Sequence, residues 1–114
     1  MKLTELAYFV EDVPATVAFY QTLLGTPPTV SGEGMAIFVV GDTKILIHKI
    51  YEPEENDLPP ENHIAFSVPD VDATCDALTA QGLTLTTPPR DYPWGRSAYL
   101  RDPNGNLIEL TPTE

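Results

Sequence analysis

Glu5, His48, His63 and Glu109 are the residues with which this chain could hold a metal ion, and His48 and His63 are its only two histidines. Imidazole nitrogens and carboxylate oxygens in one set suit Ni, Co, Fe, Mn or Zn, with coordination positions left for water or substrate oxygens. Taken singly, each residue also has an ordinary explanation. Glu5 reads as a solvated charge near the N-terminus, His48 as a wet strand end beside Lys49, His63 as a hydrogen-bonded groove histidine, and Glu109 as a polar residue ahead of a short tail.

What joins the four is an internal repeat and strand parity. Val10-Glu11-Asp12-Val13-Pro14-Ala15-Thr16 returns as Val68-Pro69-Asp70-Val71-Asp72-Ala73-Thr74, an offset of 58 residues that also carries Glu5 onto His63. Each copy follows an alternating apolar run and precedes a segment with helical spacing. In the first strand, Leu3 to Val10, residues Leu6, Tyr8 and Val10 face a helix and Glu5, Ala7 and Phe9 face away. The same alternation puts Ile45 and Ile47 under the helix and His48 opposite. It puts Ile64, Phe66 and Val68 under the second helix with His63 opposite, and Ile108 and Leu110 inward with Glu109 opposite. The four candidates thus share a groove-facing parity, on the first and last strands of two similar modules.

The pattern predicts a βαβββ unit twice. Asp12 caps a helix that Gly25 ends, and Asp70 caps a second helix that runs to about Gln81 and stops at Gly82. Thr26-Pro27-Pro28 opens an irregular edge strand, followed by strands over 35–40 and 43–50. A proline-rich acidic linker covers 51–60. Strands over 63–68, 83–87, 96–100 and 106–111 follow, with a loop at 88–95 and a turn at Asp102-Pro103-Asn104-Gly105. The expectation is one domain of 114 residues, module one at 1–50 and module two at 61–114, sharing a core.

A net charge of −11 argues against a nucleic-acid binder or an anionic membrane surface. It suits solubility or a cationic ligand. No apolar run approaches membrane-spanning length. The single cysteine, Cys75, cannot form an intrachain disulfide and reads as a small buried hydrophobe. With no signal-peptide pattern at the N-terminus, a cytoplasmic location is expected.

Three stretches carry a resemblance. They are Phe9-Val-Glu-Asp-Val-Pro-Ala-Thr-Val-Ala-Phe-Tyr20 with Leu23-Leu24-Gly25, then His63-Ile-Ala-Phe-Ser-Val-Pro-Asp70, then Tyr99-Leu-Arg-Asp-Pro-Asn-Gly-Asn-Leu-Ile-Glu-Leu110. They resemble the vicinal oxygen chelate superfamily, which holds glyoxalase I, extradiol dioxygenases, bleomycin-resistance proteins, fosfomycin-resistance transferases and methylmalonyl-CoA epimerase. The resemblance implies an α+β fold of paired βαβββ modules, a homodimer, and a divalent metal in the groove that chelates vicinal oxygens of a small-molecule substrate. It also implies that the metal acts as a Lewis acid on those oxygens and that a carboxylate beside it, Glu109 or Glu5, carries the proton as the catalytic base. Bacterial glyoxalase I orders its ligands His, Glu, His, Glu; here the order is Glu5, His48, His63, Glu109.

The resemblance leaves three functions open. The four-ligand set favours a glyoxalase-like lyase or isomerase. At the position where glyoxalase I holds glutathione with a basic residue stands Phe9, which implies an apolar wall for a less anionic substrate. A ring-cleaving dioxygenase uses His, His, Glu, and Glu5 departs from that triad. Fosfomycin transferases use the same triad with basic contacts near the C-terminus, which are missing here. A metal-free antibiotic-binding protein of the bleomycin-resistance type is suggested by Pro93-Trp94-Gly95-Arg96. There Trp94 would stack on planar rings and Arg96 would line the site, although the same run also reads as a structural turn.

Overall fold

Apolar alternation becomes strands and apolar runs at helical spacing become helices in the computed structural model, which describes residues 1–54 and 60–113. Two compact units are formed, Glu5–Asn62 and Met1–Thr4 with His63–Glu114. Part of the expected linker, residues 55–59, lies outside the described residues.

The first module contains β1 (Lys2–Val10), α1 (Val13–Leu24), β2 (Val30–Ser31), β3 (Met35–Val40) and β4 (Thr43–Lys49). Its strand order is β2-β3-β4-β1. β4 pairs antiparallel with β3 and parallel with β1. A parallel pair needs a crossover, and α1 supplies part of it. The Asp12 side chain accepts from the Ala15 N–H at 3.0 Å, and Pro14 sits in the first turn, where its missing N–H costs nothing. Gly25 ends the helix at φ 73°, a left-handed conformation open to glycine. Val13, Phe38 and Ile47 are buried against Val10, Val17, Tyr20, Leu24 and Ile45. The expected helix-facing parity of β1 and β4 therefore holds. The edge strand differs: Pro27 and Pro28 cannot donate to a ladder, and pairing starts only at Val30.

The second module repeats the plan with β5 (His63–Val68), α2 (Val71–Ala80), β6 (Leu85–Tyr92), β7 (Gly95–Arg101) and β8 (Leu107–Pro112), in the order β5-β8-β7-β6. β5 and β8 run parallel, while β7 is antiparallel to both neighbours. Asp70 caps α2 through the Ala73 N–H at 3.0 Å. Val68, Val71, Cys75, Ala98, Leu100 and Leu110 form the core. Cys75 is buried there, and burial pushes its thiol up, as expected of a core residue rather than a nucleophile.

The expected loop over 88–95 is mostly strand. β6 extends to Tyr92, with its pairing to β7 shifted between Leu85 and Thr87 and again between Thr87 and Arg90. An outer strand with irregular pairing tolerates Pro88 and Pro89, which is why two prolines did not end it. The turn is only Pro93-Trp94. Gly95 follows at φ 139°, a value that L side chains rarely adopt. Asp102 organises the β7–β8 turn by accepting from the Asn104 and Asn106 N–H groups at 2.8 and 2.9 Å.

Candidate metal centre

Glu109 sits on the β8 face opposite the α2 core and is 6% exposed. A carboxylate so buried requires donors on both oxygens. Its Oε1 lies 3.2 Å from His63 Nε2, and its Oε2 accepts from Ser97 Oγ at 2.7 Å and Tyr99 Oη at 3.1 Å. The register explains the convergence: Tyr99 is directly opposite Glu109, Ser97 is two residues along on the same face of β7, and β5 flanks β8 on the other side. Burial pushes the Glu109 carboxyl up. The hydrogen bonds and charge of His63, with the Ser97 and Tyr99 hydroxyls, outweigh that and leave it below the ordinary carboxylate value. Burial first, and then the neighbouring Glu109 charge, push the Tyr99 phenol far upward, so it remains a donor.

Aromatic rings continue outward from this pair. The Tyr99 ring meets His63 on one side and Tyr92 on the other, edge-on, with centroids 6.1 Å apart in both cases. Tyr92 stacks on Trp94 at 4.6 Å and 9°. The Arg90 guanidinium lies 4.6 Å over the Tyr92 ring. Trp94 is thus on this wall, though stacked on a tyrosine rather than packed into the core, and it is 61% exposed. Arg96 is not on it. The next residue, Ser97, faces Glu109, so Arg96 points to the other face. There it grips Asp72 through Nε and Nη2 at 2.7 and 2.8 Å, and reaches Asp91 through Nη1 at 3.0 Å. Its expected place in a substrate site gives way to a tie between the first turn of α2 and β7.

In the first module Glu5 pairs in register with Lys44, whereas His48 pairs with Phe9. Four residues of strand separate the two levels, about 13 Å. His48 Nδ1 lies 2.8 Å from the Lys49 carbonyl, and its ring packs against Phe9 and Tyr51 at centroid distances of 5.5 and 5.7 Å. The shared face of Glu5 and His48 was readable by parity; the register that separates them was not. His48 therefore belongs with Phe9 and Tyr51, an apolar group, rather than beside Glu5. Phe9 lies on this face against His48 and Tyr51, and its N–H donates to Asn62 Oδ1 at 2.8 Å.

The family model for the Glyoxalase/Bleomycin resistance protein/Dioxygenase superfamily matches residues 2–110. The chain belongs to this superfamily. The uncharacterized protein YraH of Bacillus subtilis is 35% identical to it, with 96% of this chain and 97% of YraH aligned. The metallothiol transferase FosB of Shouchella clausii is 25% identical over 95% of this chain and 77% of its own. Methylmalonyl-CoA epimerase of Streptomyces coelicolor shares the fold, with a TM-score of 0.74 at 22% identity, covering 99% of this chain and 94% of that one.

Ser97 and Tyr99, which the ligand types alone do not single out, are the groups that hold the Glu109 carboxylate. A sequence signal for both was present: Ser97 and Tyr99 alternate with the apolar Ala98 and Leu100, so they share Glu109's face. His63 Nε2 and Glu109 Oε1 also pass a simple test of fit to an ion. They are an imidazole nitrogen and a carboxylate oxygen, 3.2 Å apart. Both can enter one coordination shell at donor distances of about 2.0–2.2 Å.

Proposed function

We propose that the chain is a divalent-metal-dependent small-molecule enzyme of the glyoxalase-like lyase or isomerase type, centred on His63 and Glu109. The observation that carries this is the buried His63–Glu109 pair with Ser97 and Tyr99 fixing the carboxylate. Groups that orient a ligand's outer atoms are what a metal site needs to hold its geometry. Glu5 is the proposed third ligand, on the repeat register that carries it onto His63. A site of one imidazole and two carboxylates suits the harder ions of the expected set, Mn, Fe, Co and Zn.

When bound, the ion would supply Lewis-acid polarisation of adjacent substrate oxygens. The chain's own residues supply the rest. His63 frees its Nε2 lone pair for the ion by carrying its proton on Nδ1, so uptake of the ion weakens as pH falls. Glu109, ionised and held by two hydroxyl donors, is suited to ligation and poorly suited to accepting a proton. The proton-carrying role therefore falls to Glu5. Phe9 offers an apolar surface in the first module.

Incubation of the Mn- or Co-loaded protein in heavy water with a panel of α-hydroxyketones, followed by proton NMR, tests the reaction class. Metal-dependent loss of the α-proton signal is expected, and it should disappear in Glu5→Gln. Absence of exchange across the panel with metal bound would contradict the lyase or isomerase reading. Oxygen uptake with catechols would move the assignment to a dioxygenase.

A second reading, a metal-free binding module, draws on one observation. Both Glu109 oxygens already have donors from the protein, so the carboxylate is satisfied without an ion. Elemental analysis after loading separates the two: stoichiometric metal supports the enzyme, and none supports the binding module.

A further inference from the structure

The two modules repeat in register as well as in fold. Glu5 pairs with Lys44 and Val10 with Lys49 in the first; His63 pairs with Leu107 and Val68 with Pro112 in the second. The repeat that carries Glu5 onto His63 and Val10 onto Val68 therefore lays β4 on β8 residue for residue. Leu46 falls on Glu109, and His48 falls on Thr111. The next strands agree. Ile37 pairs with Leu46 as Tyr99 pairs with Glu109, so Ile37 stands in Tyr99's place and Met35 in that of Ser97. On the helix-facing side the modules keep their chemistry: Ile47 matches Leu110 and Phe38 matches Leu100, all in the cores. On the opposite side the hydrogen-bonded group of Glu109, Tyr99 and Ser97 is replaced by Leu46, Ile37 and Met35. The carboxylate and both hydroxyls that hold it are exchanged together, so the apolar place belongs to the whole face and is not one stray substitution. Leu46 is half-buried there.

We propose that Leu46 is a specificity-determining residue that sets the ligand number of the site: it takes the place that Glu109 holds in the other module and brings no donor, so three protein groups hold the ion. This deepens the proposed function and rests on it for the ion itself. An octahedral ion held by three protein donors keeps about three positions open. That is room for a substrate that chelates through two adjacent oxygens and for one water beside it. A fourth protein donor would leave room for the chelate alone. His48 does not supply the missing donor, because it stands in Thr111's place, about 7 Å further along β4 than Leu46.

The test is titration of Mn into metal-free wild type, Leu46→Glu, Leu46→His and His48→Glu, with water proton relaxation to count the waters on the bound ion. Wild type should carry about three, and about one after saturation with oxalate. Leu46→Glu and Leu46→His should each lose about one water and keep none under oxalate. Leu46→Glu should also bind Mn tighter by about tenfold or more, since a charged donor is worth at least as much as an outer partner. His48→Glu adds the same carboxylate two residues along the same face and should match wild type. Far-ultraviolet circular dichroism checks the fold of each variant, and the wild-type water count needs no variant at all. A wild-type count of about two, unchanged waters in a folded Leu46 variant, or a water lost in His48→Glu instead would overturn the role of Leu46 and leave the metal site standing. Mn taken up by Leu46→Glu but not by wild type would sink the proposed metal function and keep Leu46 in the ligand place. Mn taken up by none of the four proteins would sink both.

Discussion

Glu109 shows how a carboxylate can be buried and still ionised. Three donors, from His63, Ser97 and Tyr99, replace the water it has lost. Its presence on the groove face was legible from the alternation with Ile108 and Leu110. Its partners were not, because they come from two other strands whose register no local pattern reveals. The lowered pKa has a signed consequence in the metal-free protein. A carboxyl whose folded-state pKa lies below its unfolded value stabilises the fold above the unfolded value, and that stability is lost as pH falls through the folded one. Glu109→Gln should therefore cost about 1–3 kcal/mol near neutral pH, with Ser97 and Tyr99 left poorly matched. The deficit relative to wild type should shrink as pH falls below the ordinary carboxylate value and through the lowered one of Glu109. Urea unfolding at several pH values checks this; a deficit that grows on acidification would show that the carboxylate is not stabilised as described.

At the scale of elements, caps and periodicities were written locally and could be read. Asp12 and Asp70 are legible as caps because an N-cap depends on a side chain and an N–H three residues away. Asp70→Ala should cost about 1 kcal/mol in thermal or urea unfolding. Position on the strand ladder was not local. Parity put Glu5 and His48 on one face, yet the β1–β4 register matches Glu5 to Lys44 and His48 to Phe9. In the same way, two prolines signalled a loop where β6 continues as an outer strand with shifted pairing. Arg96, one residue before Ser97, had to face α2, and its ion pairs with Asp72 and Asp91 are substantially exposed. Arg96→Gln should then leave the midpoint of urea unfolding close to that of wild type. A large fall in the midpoint would show that these exposed pairs hold α2 to β7 more firmly than their exposure implies.

For the molecule as a whole, the repeat is the most informative feature, because an offset of 58 residues between two copies implies two βαβββ modules. The superfamily match over residues 2–110 agrees with it. No described helix is long and apolar enough to cross a membrane, in line with the absence of long apolar runs. Less legible was the ligand set. Four candidates shared a parity, but the ladder register separates His48 from Glu5's level, and the proposed site is built on the His63–Glu109 pair with Glu5 as its third ligand. The measurement that bears most directly on this account is calorimetric titration of Mn or Co into metal-free wild type, His63→Ala, Glu109→Gln and His48→Ala. One equivalent should bind wild type and His48→Ala alike, with affinity lower by more than about a hundredfold in the other two, because loss of a ligand costs more than loss of an outer partner. No stoichiometric binding to wild type, or binding abolished by His48→Ala and spared by His63→Ala, would contradict it.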